Sequence, residues 1–259
     1  LVHMTDDTLL LIGRETGCRS TYETHADRLR EREMADVVRV LTYGSDPVRD
    51  LRDDLTAVET ERAYVVPASP AHTHETVDEV PRALSYLDAD LRYCEPVGRH
   101  PAVTRAVRHR AAEHVEPGPD VGLALVGLGN SAGSYSRRMV ETHADRLRDE
   151  YGAVRACYLL QNPAVECVRY NLPTSQAVVV PVFAAPDDAT EQSIPQRLDL
   201  DRGGLAYANP LGTHPGVTDA LEAGVASARA VDRDGPASFE DALASARAPM
   251  AADGEGPGR

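Results

Sequence analysis

The chain has no lysine. All 27 of its basic residues are arginine, and they stand against 41 acidic residues for a formal net charge of −14. Such a surface repels phosphate backbones and anionic bilayers, which argues against nucleic-acid and membrane partners. It suits high salt, where screening relieves the self-repulsion of dense acidic charge. No run approaches the roughly 18 consecutive apolar residues of a membrane-spanning helix. The four cysteines, Cys18, Cys94, Cys157 and Cys167, form no C-x-x-C, which argues against a zinc ribbon, a thioredoxin-type pair or a compact iron–sulfur site. Residues 9–12 are too few for a secretory apolar core and run into charge, so the cytoplasm is the expected compartment.

What the chain does have is an internal repeat. ETHADRLR occupies residues 23–30 and again 141–148, an offset of 118. HPAVT at 100–104 is answered by HPGVT at 214–218, LLLIG at 9–13 by LALVG at 123–127, and YVVP at 64–67 by VVVP at 178–181, all at an offset of 114. The matches keep their order across more than 90 residues of each half. A period near 114 is too long for a solenoid unit and matches a small domain. The expected layout is lobe one at 5–115, lobe two at 120–228, a short linker at EPGPD (116–120), and an Ala-, Gly-, Pro- and acid-rich tail over 229–259 that is partly disordered. Within the tail, 238–247 is a candidate helical turn or two.

Each half reads as short apolar strands alternating with helices. In lobe one, strands are expected at 8–12, 37–42, 63–66 and 91–94, with helices from Ser20 to about Arg32 (Ser20 and Glu23 forming a capping box) and at 47–58, 74–84 and 101–114. Lobe two repeats the order, with a helix at 141–150 and a last one at 215–228. The implied fold is α/β: two similar lobes, each a parallel sheet flanked by helices, with a cleft between them. Ligands in such folds sit beyond the carboxyl ends of the strands.

One segment there stands out. The strand ending at Pro67 runs into PASPAHTHETVDEVP (67–81), which carries His72 and His74 with Glu75, Asp78 and Glu79 close behind. Two imidazoles at i and i+2 face one way on an extended backbone and suit a transition metal or a proton. The equivalent segment of lobe two, PVFAAPDDATEQSIP (181–195), has the same length and no histidine. Features shared by both segments are therefore expected to be structural, and the differences to be functional. Arg14, after the first strand, is a candidate partner for an anionic group. Neither Gly13 nor Gly127–Gly129 makes a nucleotide-binding fingerprint, so no nucleotide is expected. His100 and His214 each precede a proline at a helix start, where N–H groups can hold carboxylates. His25 and His143, flanked by acids, read as surface residues. Cys94, Cys157 and Cys167 read as core.

Taken together, LLLIGRET and LALVGLGN, the proline-to-proline segments, and the PVGRHPAVT and PLGTHPGVT turns resemble the CbiX/SirB family of class II chelatases in its long, two-lobed form. The resemblance covers about 8–228. Members insert cobalt or iron, in some cases nickel, into sirohydrochlorin. The family's G-H-G-S histidine falls on Arg14 and Leu128 here. Its second histidine falls on Glu75 by strict spacing, one position after His74, and on Ala189 in lobe two. The resemblance implies a lyase that inserts a divalent metal, cobalt favoured and Fe2+ or Ni2+ open, as substrate. His72, His74 and Glu75 would be catalytic, and His72, His74 and Asp78 metal-binding. Arg14, Arg99, His100 and His214 would hold a carboxylated tetrapyrrole. The expected assembly is a monomer with internal pseudo-twofold symmetry. Two other readings stay open: an inactive relative that carries or senses a tetrapyrrole or metal, and a two-lobed small-ligand binding fold.

Overall fold

The architecture is known from a computed structural model of the protein, which describes residues 7–16, 19–129 and 134–234. Cys18 and the tail segment 238–247 lie outside the described residues. In the first half the elements are β1 (Asp7–Arg14), α1 (Arg19–Glu31), β2 (Val37–Tyr43), α2 (Pro47–Asp50), α3 (Arg52–Thr56), β3 (Arg62–Pro67), α4 (Val80–Ala83), β4 (Asp90–Tyr93) and α5 (Pro101–Ala112). The second half contributes β5 (Val121–Gly127), α6 (Tyr135–Leu147), β6 (Ala153–Tyr158), α7 (Val168–Asn171), β7 (Gln176–Pro181), α8 (Ile194–Leu198), β8 (Ala206–Tyr207) and α9 (Pro215–Asp234). The two sheets have the same order, β2-β1-β3-β4 and β6-β5-β7-β8, and every pairing is parallel. The central strands are buried on both faces, which is why β1 and β5 read as unbroken apolar runs.

Several boundaries differ from expectation. Arg19 already starts α1, so Ser20 lies inside the helix, where its carbonyl accepts a bond from Thr24 Oγ1 rather than its hydroxyl capping the end. The helix expected at 47–58 breaks at Leu51. Asp46 caps its start by accepting from Arg49 N at 3.1 Å, and Leu51, Leu55 and Val58 stay buried on one face. α6 begins six residues earlier than 141, at Tyr135, and ends at Leu147. α9 continues past Ala228 to Asp234, so Arg229, placed in the tail by the sequence, is helical and donates to the carbonyl of Met34. Cys94 and Cys157 are buried as expected, whereas Cys167 is exposed.

The least expected feature is where the last helix of each half goes. Ala102, Val103, Ala106, Val107 and Ala111 of α5 pack with Leu123, Leu125, Val178 and Val180 of the second sheet. Reciprocally, Leu221 and Val225 of α9 pack with Leu9, Leu11, Tyr64 and Val66 of the first. Each half thus covers one face of the other half's sheet.

The repeated octapeptide fastens this exchange. His25 of α1 donates from Nε2 to the Gly212 carbonyl (3.0 Å), and its Nδ1 lies 2.9 Å from Thr218 Oγ1 on α9. His143 of α6 donates from Nε2 to the Gly98 carbonyl (2.6 Å), with Nδ1 2.8 Å from Thr104 Oγ1 on α5. Arg28 donates to the Thr213 carbonyl and Arg146 to the Arg99 carbonyl, at 2.6 and 2.8 Å. Contacts that exchange in this way are those of an isologous twofold interface, here within one chain. Both histidines are therefore buried at the junction, contrary to the surface reading. The acids Glu23 and Asp27 mark one side of α1, but Tyr22, His25, Ala26 and Leu29 make up the buried side. Burial pushes both imidazoles down to about 4, so both are neutral at pH 7. The glycine of each G-x-H-P turn has its own reason. A Cβ on Gly98 would lie 1.8 Å from the Pro70 carbonyl oxygen, and Gly212 has φ +49, in the left-handed region.

Candidate active site

The carboxyl ends of β1, β3, β5 and β7 open onto a cleft between the lobes of about 510 Å3. It is lined by Arg14, His72, His74, Glu75 and Thr76 from the first half and by Leu128, Tyr135, Met139, Leu160, Val182 and Phe183 from the second. A larger hollow of about 920 Å3 lies at the opposite, amino ends of the first sheet, around Asp7, Arg62 and Arg229. It contains no histidine, and parallel sheets place their ligands at the other end.

The segment after β3 owes its shape to bonds that both halves share. Thr76 Oγ1 accepts from Thr73 N at 2.8 Å, and Thr190 Oγ1 from Asp187 N at 2.9 Å. The phenol of Tyr93 donates to the Thr76 carbonyl and that of Tyr207 to the Thr190 carbonyl, each at 2.6 Å. A short π-helical turn follows in both, Glu75–Glu79 and Ala189–Ser193, leading into α4 and α8. Wide turns of this kind often mark functional sites. Its presence in the segment without histidines, 181–195, assigns this one to the fold.

On that scaffold the two histidines part company. His74 takes helical dihedrals (φ −56, ψ −44), so the extended backbone that would turn both rings the same way is absent. The His72 ring is buried. Its Nε2 lies 3.0 Å from Glu95 Oε2, its Nδ1 3.2 Å from Thr76 Oγ1, and it meets Tyr135 edge-on at 5.5 Å. A carboxylate can only accept, so Nε2 carries the proton and Nδ1 faces the Thr76 hydroxyl. The His74 ring is exposed at the cleft, with Glu79 3.7 Å away. Glu75 is ion-paired with Arg14. Burial alone would raise the Glu75 carboxyl, but the Thr73 hydroxyl, the backbone and Arg14 together hold it below its ordinary value.

Four other sequence candidates lie elsewhere. Asp78 pairs with Arg82 at 2.7 Å and does not line the cleft. Arg99 and His100 border a separate groove beside α9. His100 caps α5, its Nδ1 accepting from Ala102 N at 3.2 Å. His214 accepts from Gly216 N at 3.0 Å and donates from Nε2 to His109 Nδ1 at 3.1 Å. The shared H-P dipeptide thus caps helix starts at the interlobe junction, and burial lowers both imidazoles. Glu95 was missed by sequence reasoning. It stands 23 residues beyond His72, and only the parallel pairing of β3 with β4 brings it near. Among the described residues, no group of three or more His, Cys, Asp or Glu is placed to hold a metal ion. No helix among them is long and apolar enough to cross a membrane.

Residues 122–228, which span the second sheet and α9, match the CbiX family. Over these residues the chain is similar to that family. The first half repeats the strand order and the proline-to-proline segment of the second, so the two halves are a tandem pair in sequence and in fold. A protein of Halobacterium salinarum described as a probable sirohydrochlorin cobaltochelatase is 28% identical over 256 residues, covering 82% of this chain and 85% of its own. The chain also superposes on SirB of Bacillus subtilis, solved with Fe3+ (TM-score 0.70, 17% identity, 88% of this chain and 98% of SirB) and with cobalt (TM-score 0.63). A multi-domain protein of Deinococcus radiodurans with structural similarity to chelatases gives a TM-score of 0.71 at 23% identity, over 86% of this chain. The chain spans only 55% of that protein's length.

Proposed function

We propose that the protein inserts a divalent metal into sirohydrochlorin, with cobalt the preferred metal and iron or nickel as alternatives. The observation that carries this reading is the cleft. At the carboxyl ends of two parallel sheets, it places two imidazoles and a carboxylate from one half opposite a mostly apolar side from the other, on which Asp187 is the one carboxylate among the described residues. The Halobacterium relative supports the reaction and the metal.

Insertion requires two pyrrole N–H protons to leave as the metal enters. His74, exposed at the cleft, is the group free to meet metal or proton, as ligand or as general base. His72, also lining the cleft, is buried and held from two sides by Thr76 and Glu95. Glu75, kept ionised beside Arg14, supplies negative charge where the cation arrives. The metal is a substrate in this scheme, and its coordination is completed by the pyrrole nitrogens. Asp78, paired with Arg82, has no part in it. We further propose that the protein is a monomer, because the reciprocal interface is already filled within one chain, and we keep the cytoplasm as its compartment.

The test is the initial rate of cobalt insertion into sirohydrochlorin, followed by the absorbance change of the macrocycle. The wild type should exceed the uncatalysed rate, and His74→Ala should lose about 100-fold. A wild type that binds the macrocycle without accelerating insertion is a carrier.

A further inference from the structure

The two halves of the cleft differ in kind, and the difference falls on residues related by the internal repeat. The strand register pairs Gly13 with Thr42 in the first sheet and Gly127 with Tyr158 in the second. By that register Leu128 stands where the first half has Arg14, and Leu160 stands where it has Gly44. Counting from Pro67 and Pro181, Phe183 stands where the first half has Ser69. At all three positions the second half is large and apolar, and the first half is charged, absent or small. Among the described residues lining the cleft, every histidine and arginine comes from the first half, and the second half contributes one charged group, the carboxylate of Asp187.

Two of these apolar groups face water. Leu128 is 45% exposed and Leu160 62%, in a protein whose other leucines are mostly buried. The backbone holds them together, since Leu160 N donates to the Leu128 carbonyl at 2.9 Å. Phe183 and Val182, both largely buried, line the same cleft. Exposed side chains held side by side across from a cluster of polar groups make a surface that needs an apolar partner.

We infer that Leu128, Leu160 and Phe183 form a platform for one flat apolar face of the macrocycle, and that they determine substrate binding while the first half carries the chemistry. This rests on the chelatase reading above and deepens it. A ring lying on the platform turns its other face to His74 and Glu75, so the metal enters from the first-half side. The face against the platform is closed to metal and water. Duplication gave both halves the same cleft-forming loops. Placing a charged residue in the second half, as at Arg14 in the first, would put an unpaired cation against the ring.

The experiment compares wild type with Leu128→Ser/Leu160→Ser. Both side chains are exposed, so the fold should be kept, and a thermal melt checks it. Three quantities are read: the dissociation constant for metal-free sirohydrochlorin, from quenching of its fluorescence, and kcat and KM for cobalt insertion. The double variant should bind about tenfold or more weakly and raise KM to match, with kcat nearly unchanged. His74→Ala should do the reverse, lowering kcat and leaving binding intact. Tyr170→Ser, at an aromatic that is 84% exposed outside the cleft, should leave all three constants as they are. If wild type binds and inserts while the double variant does both equally well, the platform is wrong and the chelatase reading stands. If the double variant loses kcat but not binding, the leucines belong to the chemistry and the division between halves is wrong. If wild type binds no macrocycle, both fall.

Discussion

His25, in the first copy of ETHADRLR, lies with Nδ1 2.9 Å from Oγ1 of Thr218, in the second copy of HPxVT. His143 and Thr104 repeat the contact with the copies exchanged. The motifs duplicated most faithfully in this chain therefore meet each other across the lobes.

A pH dependence of stability follows. Both imidazoles sit near 4 in the folded protein, against about 6.5 when exposed. Between those values the unfolded chain binds more protons, so stability rises with pH there. It is fully present above about 6.5 and is lost as pH falls towards 4, on the order of 3 kcal/mol for each histidine. Urea midpoints at pH 7 and pH 4.5 measure this. His25→Ala with His143→Ala should lower the pH 7 midpoint and flatten the difference between the two pH values.

Tyr93 and Tyr207 offer an internal control. Each phenol donates to the carbonyl of the threonine that shapes its segment. Tyr93→Phe and Tyr207→Phe should each cost about 1–2 kcal/mol by leaving a carbonyl without its donor. Only Tyr93→Phe, which loosens the segment bearing His72, His74 and Glu75, should also slow metal insertion. Equal slowing by both would show that the second half shares the chemistry.

Glu95 acts through another residue. Glu95→Ala removes the acceptor that orients His72, while its own side chain is 70% exposed and supports little of the fold. The expected result is a kcat about tenfold lower, with KM and melting temperature near wild type. Glu95→Gln, whose amide oxygen can still accept from Nε2, should restore much of the loss. An unchanged kcat in Glu95→Ala would make the contact incidental.

Salt should stabilise the protein. A net charge of −14 on a compact surface repels itself, and screening relieves that repulsion. The denaturation midpoint should rise between about 0.1 M and about 2 M potassium chloride. An unchanged midpoint would remove the case for adaptation to brine.

The fold was legible because the strands carry their own signature. Residues 9–12 and 123–126 are apolar without interruption, and the repeat fixed their order twice. The exchange of α5 and α9 was not legible, since HPAVT and HPGVT are nearly identical and neither says which sheet lies beneath it. His25 and His143 were misread for a local reason. The acids around them drew attention to one side of the helix, although Tyr22, Ala26 and Leu29 already marked the other at helical spacing. Of the candidate site, the segment holding His72 and His74 was readable from its asymmetry with residues 181–195. Glu95 was not, because a parallel strand pairing joins residues far apart in sequence. Leu128 stood out in the sequence only as the position where the family's G-H-G-S histidine falls, and nothing marked Leu160 until the cleft showed both facing water.

The crossing of α5 and α9 bears on how such a chain could arise. A single repeat unit made alone would leave one sheet face bare and one helix without a seat, and two copies of it would satisfy each other. Two separate, identical polypeptides could thus have built this same body before their genes were joined. While they were separate, any change to the loops around the cleft had to appear on both sides at once. Fusion removed that constraint. One copy could keep the reactive residues while the other was free to lose them.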